Sequence, residues 1–290
     1  MRLLVAIPHY FDRARAANPG ARHGSLAGDP GKRVVALSSC IAALHQLYGH
    51  AQHVIEIATR NAPPANALTS GVVHVVICTT ADHHLLGSLP LPSESYTHQQ
   101  TSADPRLLGF ECHGVLRDRI GDYDYYAYLE DDLIARDPWF FRKLAWFNAQ
   151  LGDGVLLQPN RYEVGPLGLV HKAYIDGDLD PRATSAFQNL DESPEVSAPV
   201  FGATVRFRRA RNPHAGAFFL NARQMADWVS RPYFLDRDTT FIGPLESAAT
   251  LGIMRTFRVY KPAPETASFL EIEHHGTAFL SQLRRRSADT

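Results

Sequence analysis

Leu3 to Ile7 is an unbroken apolar run that Pro8 ends, the pattern of a strand buried on both faces of a parallel sheet. With Met1-Arg2 before it, the run opens like a signal peptide. It is short, however, and Pro8, His9 and Asp12 follow without a small-residue cleavage site, so we expect a strand. Residues 12–32 show no period and predict a long loop. Val34, Leu37, Ile41, Leu44 and Tyr48 recur at spacings of three and four, which predicts a helix over 33–48 stopped by Gly49. His53 to Thr59 alternates loosely and predicts a strand, and Val72 to Cys78 predicts a stronger one. A helix is expected from Pro105 to about Gly121, with Leu108, Cys112, Val115 and Leu116 on one face, and then a short strand from Tyr125 to Leu129.

Asp137-Pro138 reads as a helix start, an N-cap acid before a proline. Phe140, Leu144, Phe147 and Leu151 form the apolar stripe of that helix, and Gly152 closes it. Strands are expected at 155–158 and 217–220, the second leading into a helix over 221–229. A short helix from Pro244 to Leu251, ended by Gly252, precedes a strand from Met254 to Tyr260. Strands and helices alternate in the first half, which argues for an α/β fold with a mostly parallel sheet. The second half is more irregular. No repeat, low-complexity tract or linker divides the 290 residues, so one domain is expected.

Hydrophobic residues make up 45% and charged residues 20%, the balance of a globular chain. Lys+Arg number 29 and Asp+Glu 30, and the net charge of -1 excludes the basic footprint of duplex DNA binding, so no nucleic acid partner is expected. Cys40, Cys78 and Cys112 are too few and too scattered for a disulfide framework. No apolar run approaches the ~18 residues of a membrane span, and a bacterial-type cytoplasm is the expected compartment. Arg284-Arg285-Arg286 is too short for firm membrane anchoring and leaves only peripheral contact open.

The sharpest chemical feature is Tyr125-Tyr126-Ala127-Tyr128-Leu129-Glu130-Asp131-Asp132. Three acids stand at the carboxyl end of an apolar strand, the edge where open α/β sheets bind ligands. In an extended chain Glu130 and Asp132 share one side and Asp131 faces the other. Adjacent carboxylates repel one another, and a hard divalent cation with oxygen ligands is their natural partner. The plainer alternative is a solvated acidic turn.

Leu129-Glu130-Asp131-Asp132-Leu133, followed by Pro138, Phe140 and Phe141, resembles the metal-binding Asp-x-Asp region of GT-A fold glycosyltransferases. The match is to the Glu-Asp-Asp variant of some N-acetylglucosaminyltransferases and covers about residues 123–151. The resemblance implies a three-layer α/β/α sandwich with a Rossmann-like, mostly parallel sheet and a smaller irregular acceptor side. Residues 1–135 would form the nucleotide-binding half and 136–290 the acceptor-binding half. It implies that Asp132 holds Mn²⁺ or Mg²⁺ and that Glu130 and Asp131 contact a nucleotide-sugar donor, UDP being favoured by family habit. The edge after the first strand would cradle base and ribose, with Pro8 in the turn, His9 donating and Tyr10 stacking. Asp82, just past the second strong strand, is placed to accept from a ribose hydroxyl or a base N–H. A late histidine completes the metal site in several such enzymes, which makes His274 or His275 the candidate. An inverting enzyme needs a carboxylate to take the acceptor proton. Glu246 is chosen, with Asp236 and Asp238 as rivals; an acid in a first helical turn also suits the helix dipole alone. The acceptor would be a saccharide or another hydroxyl compound.

Arg206, Arg208, Arg209 and Arg211 could bind a diphosphate, or simply form a solvated basic face. Asp176-Gly177-Asp178-Leu179-Asp180 imitates a calcium loop but has Pro181 in place of the required glycine, and is expected as a flexible acidic loop. Gly31-Lys32 lacks the spacing of a P-loop. Three other classes stay open: a non-catalytic nucleotide or carbohydrate binder, a sugar-nucleotide pyrophosphorylase, and a two-metal phosphoesterase. The pyrophosphorylase would want a Gly-rich loop where Pro8-His9-Tyr10-Phe11-Asp12 stands, and the phosphoesterase a second dense His/Asp cluster.

Overall fold

A computed structural model describes residues 1–12, 29–165 and 170–283. Most of the loop expected over 12–32 and the Arg284–Arg286 cluster lie outside the described residues. The first half runs β1 (Arg2–Pro8), α1 (Pro30–Tyr48), β2 (Val72–Thr80), β3 (Thr97–Thr101), α2 (Leu108–Arg117), β4 (Tyr125–Leu129), β5 (Leu133–Ile134) and α3 (Phe140–Leu151). The second half runs β6 (Val155–Leu157), β7 (Asn160–Val164), β8 (Lys172–Tyr174), β9 (Glu195–Val200), β10 (Ala203–Arg209), β11 (Ala217–Asn221), α4 (Ala222–Val229), α5 (Pro244–Thr256), β12 (Arg258–Pro262) and β13 (Glu271–His274).

The central sheet has the order β11-β4-β1-β2-β3, parallel except for β11, which pairs antiparallel with β4. Alternate residues of β1 face opposite cores, as the strand period requires. Leu3, Val5 and Ile7 pack with Leu37, Ile41 and Leu44 of α1. Leu4 and Ala6 pack with Leu108, Cys112 and Leu116 of α2. The sheet is therefore covered on both faces, and the expected three-layer α/β/α arrangement is present. The chain leaves β1 toward β2 and returns on its other side as β4, so strand direction of travel reverses between β1 and β4. Such a switch point opens a crevice at the carboxyl ends of the strands.

Two smaller sheets make up the irregular part. One has the order β6-β12-β10-β9 and the other β5-β13-β7-β8. The acid turn after β4 runs straight into β5, so it is the junction between the central sheet and the second small one.

Several predicted elements shift. The strand expected at His53 to Thr59 is absent; only isolated bridges close this stretch on itself, His53 to Pro64 and Glu56 to Asn61. Ile55 and Ile57 are 77% and 88% exposed there, so alternation arose without a sheet to bury it. Helix α5 passes through Gly252 instead of ending at it. A side chain at Gly252 would meet the Trp228 indole at 2.7 Å, so this glycine admits close packing of α4's tryptophan. Asp137 caps its turn by accepting from Trp139 N–H, but α3 starts only at Phe140. Among the described residues no helix is long and apolar enough to cross a membrane.

Candidate functional site

The acid turn lies at the switch point. Glu130 N–H donates to the Gly216 carbonyl, which carries the β4–β11 pairing one residue further. Gly216 has φ +60°, and an added Cβ would run into Glu130 Oε2, with Glu130 Cδ and Leu133 Cδ1 both at 3.0 Å. The backbone thus presses directly against the Glu130 carboxylate, and only glycine permits it.

Each acid has its own surroundings. Asp131 is buried and held by two elements: His9 Nδ1 donates to its Oδ2 at 2.5 Å, and Arg33 Nη2 reaches both oxygens at 2.5 and 2.6 Å. Burial opposes its charge, but Arg33 and His9 outweigh that and hold its carboxyl down, at about 2. Asp132 keeps Arg33 Nη1 at 3.3 Å from Oδ2, while its Oδ1 is buried with no hydrogen-bond partner among the described residues. Glu130 has burial as its dominant influence, which pushes it up to about 8; Arg161, with Nη1 3.7 Å from Oε2, resists, while Asp132, Asp131 and Glu246 add to the rise.

His9 requires a correction. Its side chain is 0% exposed, and its Nε2 accepts from Leu85 N–H at 3.1 Å. Both ring nitrogens are engaged, so it offers no donor to a base; it fixes Asp131 from below. Pro8 is buried at the end of β1, Tyr10 lies half-buried with its ring 5.5 Å from that of His83, and Asp82 stands exposed on the rim beside Gln100.

β13 pairs with β5 so that His274 lies opposite Leu133, next to the acid turn. The His274 Nε2 is 3.7 Å from Asp132 Oδ2 and its Nδ1 is 2.9 Å from Glu163 Oε1. His275 reaches the same aspartate only by its backbone N–H, at 2.8 Å from the Asp132 carbonyl. Geometry thus separates the two histidines. Among the described residues no three His, Cys, Asp or Glu side chains form a complete metal cage. Asp132 and His274 make a two-residue start on one. That fits a hard cation which takes one or two protein ligands and leaves positions for phosphate and water. The orphaned Oδ1 of Asp132 is the observation in favour of the fit.

Glu246 sits in the first turn of α5, close enough to Glu130 to raise it. Its rivals are committed elsewhere: Asp236 and Asp238 both pair with Arg255, at 3.0 and 3.6 Å.

Sequence reasoning missed a buried ionic chain behind the acids. Arg161 of β7 donates from Nη2 to Asp176 at 2.8 Å, and Lys261 of β12 donates to the same carboxylate at 2.9 Å and to the His214 carbonyl at 2.6 Å. Burial opposes the Asp176 charge, but Lys261 and Arg161 hold it well below the usual carboxylate range. The flexible acidic loop expected at 176–180 is thus corrected at its first residue, whose side chain is only 2% exposed. Arg161 and Glu163 are two apart on a strand and so share a face. That alternation was the available signal, but it needs β7 to be recognised as a strand. Among the described residues the cluster holds Glu130, Asp131, Asp132, Glu163, Asp176 and Glu246 against Arg33, Arg161 and Lys261, so there carboxyl groups outnumber cations.

Three of the four arginines at 206–211 are matched by acids: Arg206 pairs with Glu265, and Arg208 and Arg211 with Asp178; Arg209 donates to the Glu192 backbone carbonyl instead. An open cavity of about 850 Å³ lies beside them, lined by Phe187, Leu190, Arg208, Arg209 and Arg211 among others; of the residues that the sequence made candidates for binding only these arginines line it, and none of the acids or histidines of the candidate site does.

No family model matches the sequence, and no curated protein matches it. Among solved structures, the crystal structure of S. aureus TarS is similar with a TM-score of 0.46 and 10% identity, over 96% of this chain. The chain spans 37% of the TarS chain. The structure of CMP:2-keto-3-deoxy-manno-octonic acid synthetase complexed with CTP is similar with a TM-score of 0.36 and 13% identity, over 91% of this chain and 92% of that one. These are distant likenesses of the whole chain, and the site is described by its own geometry.

Proposed function

We propose that the protein is a metal-dependent glycosyltransferase of the GT-A type, moving a sugar from a nucleotide-diphosphate donor, UDP in preference, to a hydroxyl of a saccharide or similar acceptor. The single observation that carries this reading is the Asp132–His274 pair at the β1/β4 switch point, with Asp132 Oδ1 buried and unpartnered among the described residues. Asp132 and His274 would hold Mn²⁺ or Mg²⁺, which when bound supplies Lewis-acid neutralisation of a leaving diphosphate. Arg33 and His9 fix Asp131, and through Arg33 they also fix the orientation of Asp132. Glu130, whose carboxyl is pushed up by burial, stands beside Asp132 where it can hydrogen-bond a hydroxyl of the donor. Tyr10 and Asp82 border the space for base and ribose. Glu246 takes the proton of the acceptor hydroxyl as its oxygen bonds to the anomeric carbon and the bond from that carbon to the phosphate oxygen breaks. The electron pair leaves with the diphosphate.

A thermal-shift screen of nucleoside diphosphates with and without Mn²⁺ tests binding, because a ligand of the folded state raises its apparent stability. We expect stabilisation by UDP only when Mn²⁺ is present. Asp132→Ala should fold and lose metal-dependent hydrolysis or transfer of the donor. Full activity of that variant in the presence of a chelator refutes the metal reading. Consumption of a nucleoside triphosphate with a sugar phosphate would instead mark a pyrophosphorylase, and donor binding without turnover a binding protein.

A further inference from the structure

Glu163 lies outside the acid motif, yet it is a fully enclosed carboxylate beside it, 0% exposed. β7 sets it two residues beyond Arg161 on the same side of the strand. Its Oε1 accepts from His274 Nδ1 at 2.9 Å and from Phe279 N–H at 3.1 Å. Its Oε2 accepts from the N–H groups of Phe279 at 3.0 Å and Leu280 at 2.6 Å. The Phe279 ring meets the His274 imidazole edge-on, 5.6 Å between centroids. A carboxylate acceptor keeps the imidazole proton on Nδ1. That leaves Nε2, 3.7 Å from Asp132 Oδ2, with a lone pair to give.

We propose that Glu163 is a positioning residue. It fixes the tautomer and ring orientation of His274 for a divalent cation, and the same carboxylate ties residues 277–283 to the loading of that site. The proposal rests on the metal reading above. Arg161, its neighbour on the strand, serves Glu130 and Asp176 instead, so β7 supports two acids of the site through two different side chains.

Mn²⁺ titration followed by the paramagnetic resonance of the free ion reads binding without turnover. The full chain is compared with Glu163→Gln and His274→Ala, with and without UDP. Glutamine offers one acceptor oxygen where glutamate offers two, so it cannot serve His274 and both backbone N–H groups. Glu163→Gln should weaken Mn²⁺ binding about 10–100-fold. Long-range ¹⁵N–¹H spectra of the metal-free protein should show His274 protonated at Nδ1 in the wild type and lose that signature in the variant. Wild-type protein that binds no Mn²⁺ under either condition overturns the metal reading and this proposal with it. Wild-type binding matched by Glu163→Gln overturns the proposal alone. Should Glu163→Gln fail to fold, hydrogen exchange of the 277–283 peptide in the wild type decides. It should slow at least about threefold on Mn²⁺ loading if Glu163 links site and segment, and unchanged exchange in protein that binds Mn²⁺ refutes the link.

Discussion

Gly216→Ala tests whether the Glu130 carboxylate is part of the working site. The substitution acts in two ways that can be separated. At φ +60° an alanine costs about 1–2 kcal/mol of backbone strain, which for a chain of this size class lowers the melting temperature by about 2–8 °C. Its Cβ would also run into the Glu130 Oε2 and stand 3.0 Å from Glu130 Cδ, so the carboxylate must move by roughly 1 Å to regain van der Waals distance. A displacement of that size in a reacting constellation costs on the order of 10²-fold in rate. Gly121→Ala is the control: φ is +95° there, yet nothing lies within 4 Å of an added Cβ, so it carries backbone strain without touching the acids. Both variants should lose stability comparably, and only Gly216→Ala should lose Mn²⁺-dependent donor hydrolysis. Donor hydrolysis within threefold of wild type in a Gly216→Ala protein whose melting temperature has fallen as calculated would show that Glu130 takes no part.

The remaining predictions concern the charges behind the site. Asp176→Ala leaves Arg161 and Lys261 buried without their shared counter-ion and should destabilise the fold by about 3–5 kcal/mol, read by urea unfolding; a loss below about 1 kcal/mol would mean water already reaches this pair. His113 and His214 are both buried, and burial lowers them to about 4 and about 3. A base lowered on folding is neutral in the folded state and takes up a proton on unfolding. Its contribution is therefore present above the ordinary value near 6.5 and is lost as pH falls toward the lowered one. Melting temperature should fall steadily from pH 6.5 to 4, and His113→Leu should flatten that slope by about one proton's worth; an unchanged slope would place the acid sensitivity elsewhere.

The central sheet was legible because its strands are local statements. Leu3–Ile7, Val72–Cys78 and Tyr125–Leu129 are apolar runs bounded by polar or turn residues, and burial on two faces leaves that trace in any one strand. The acid turn was legible for the same reason, since three carboxylates after an apolar strand are conspicuous in one dimension. β7, β8 and β13 are short and half-polar, and the register of β13 against β7 is set by contacts more than a hundred residues apart in sequence, such as Glu271 with Asn160. No local period records such a pairing. Hence the sequence alone determined the fold class and the position of the acids along the chain. Only the tertiary structure decided that His9 is spent on Asp131, that His274 and not His275 turns its ring toward Asp132, and that Arg33, Arg161, Glu163, Asp176 and Lys261 surround them. Side-chain chemistry is written residue by residue, whereas the electrostatic environment that gives it a role is a sum over neighbours that folding alone brings within a few ångströms.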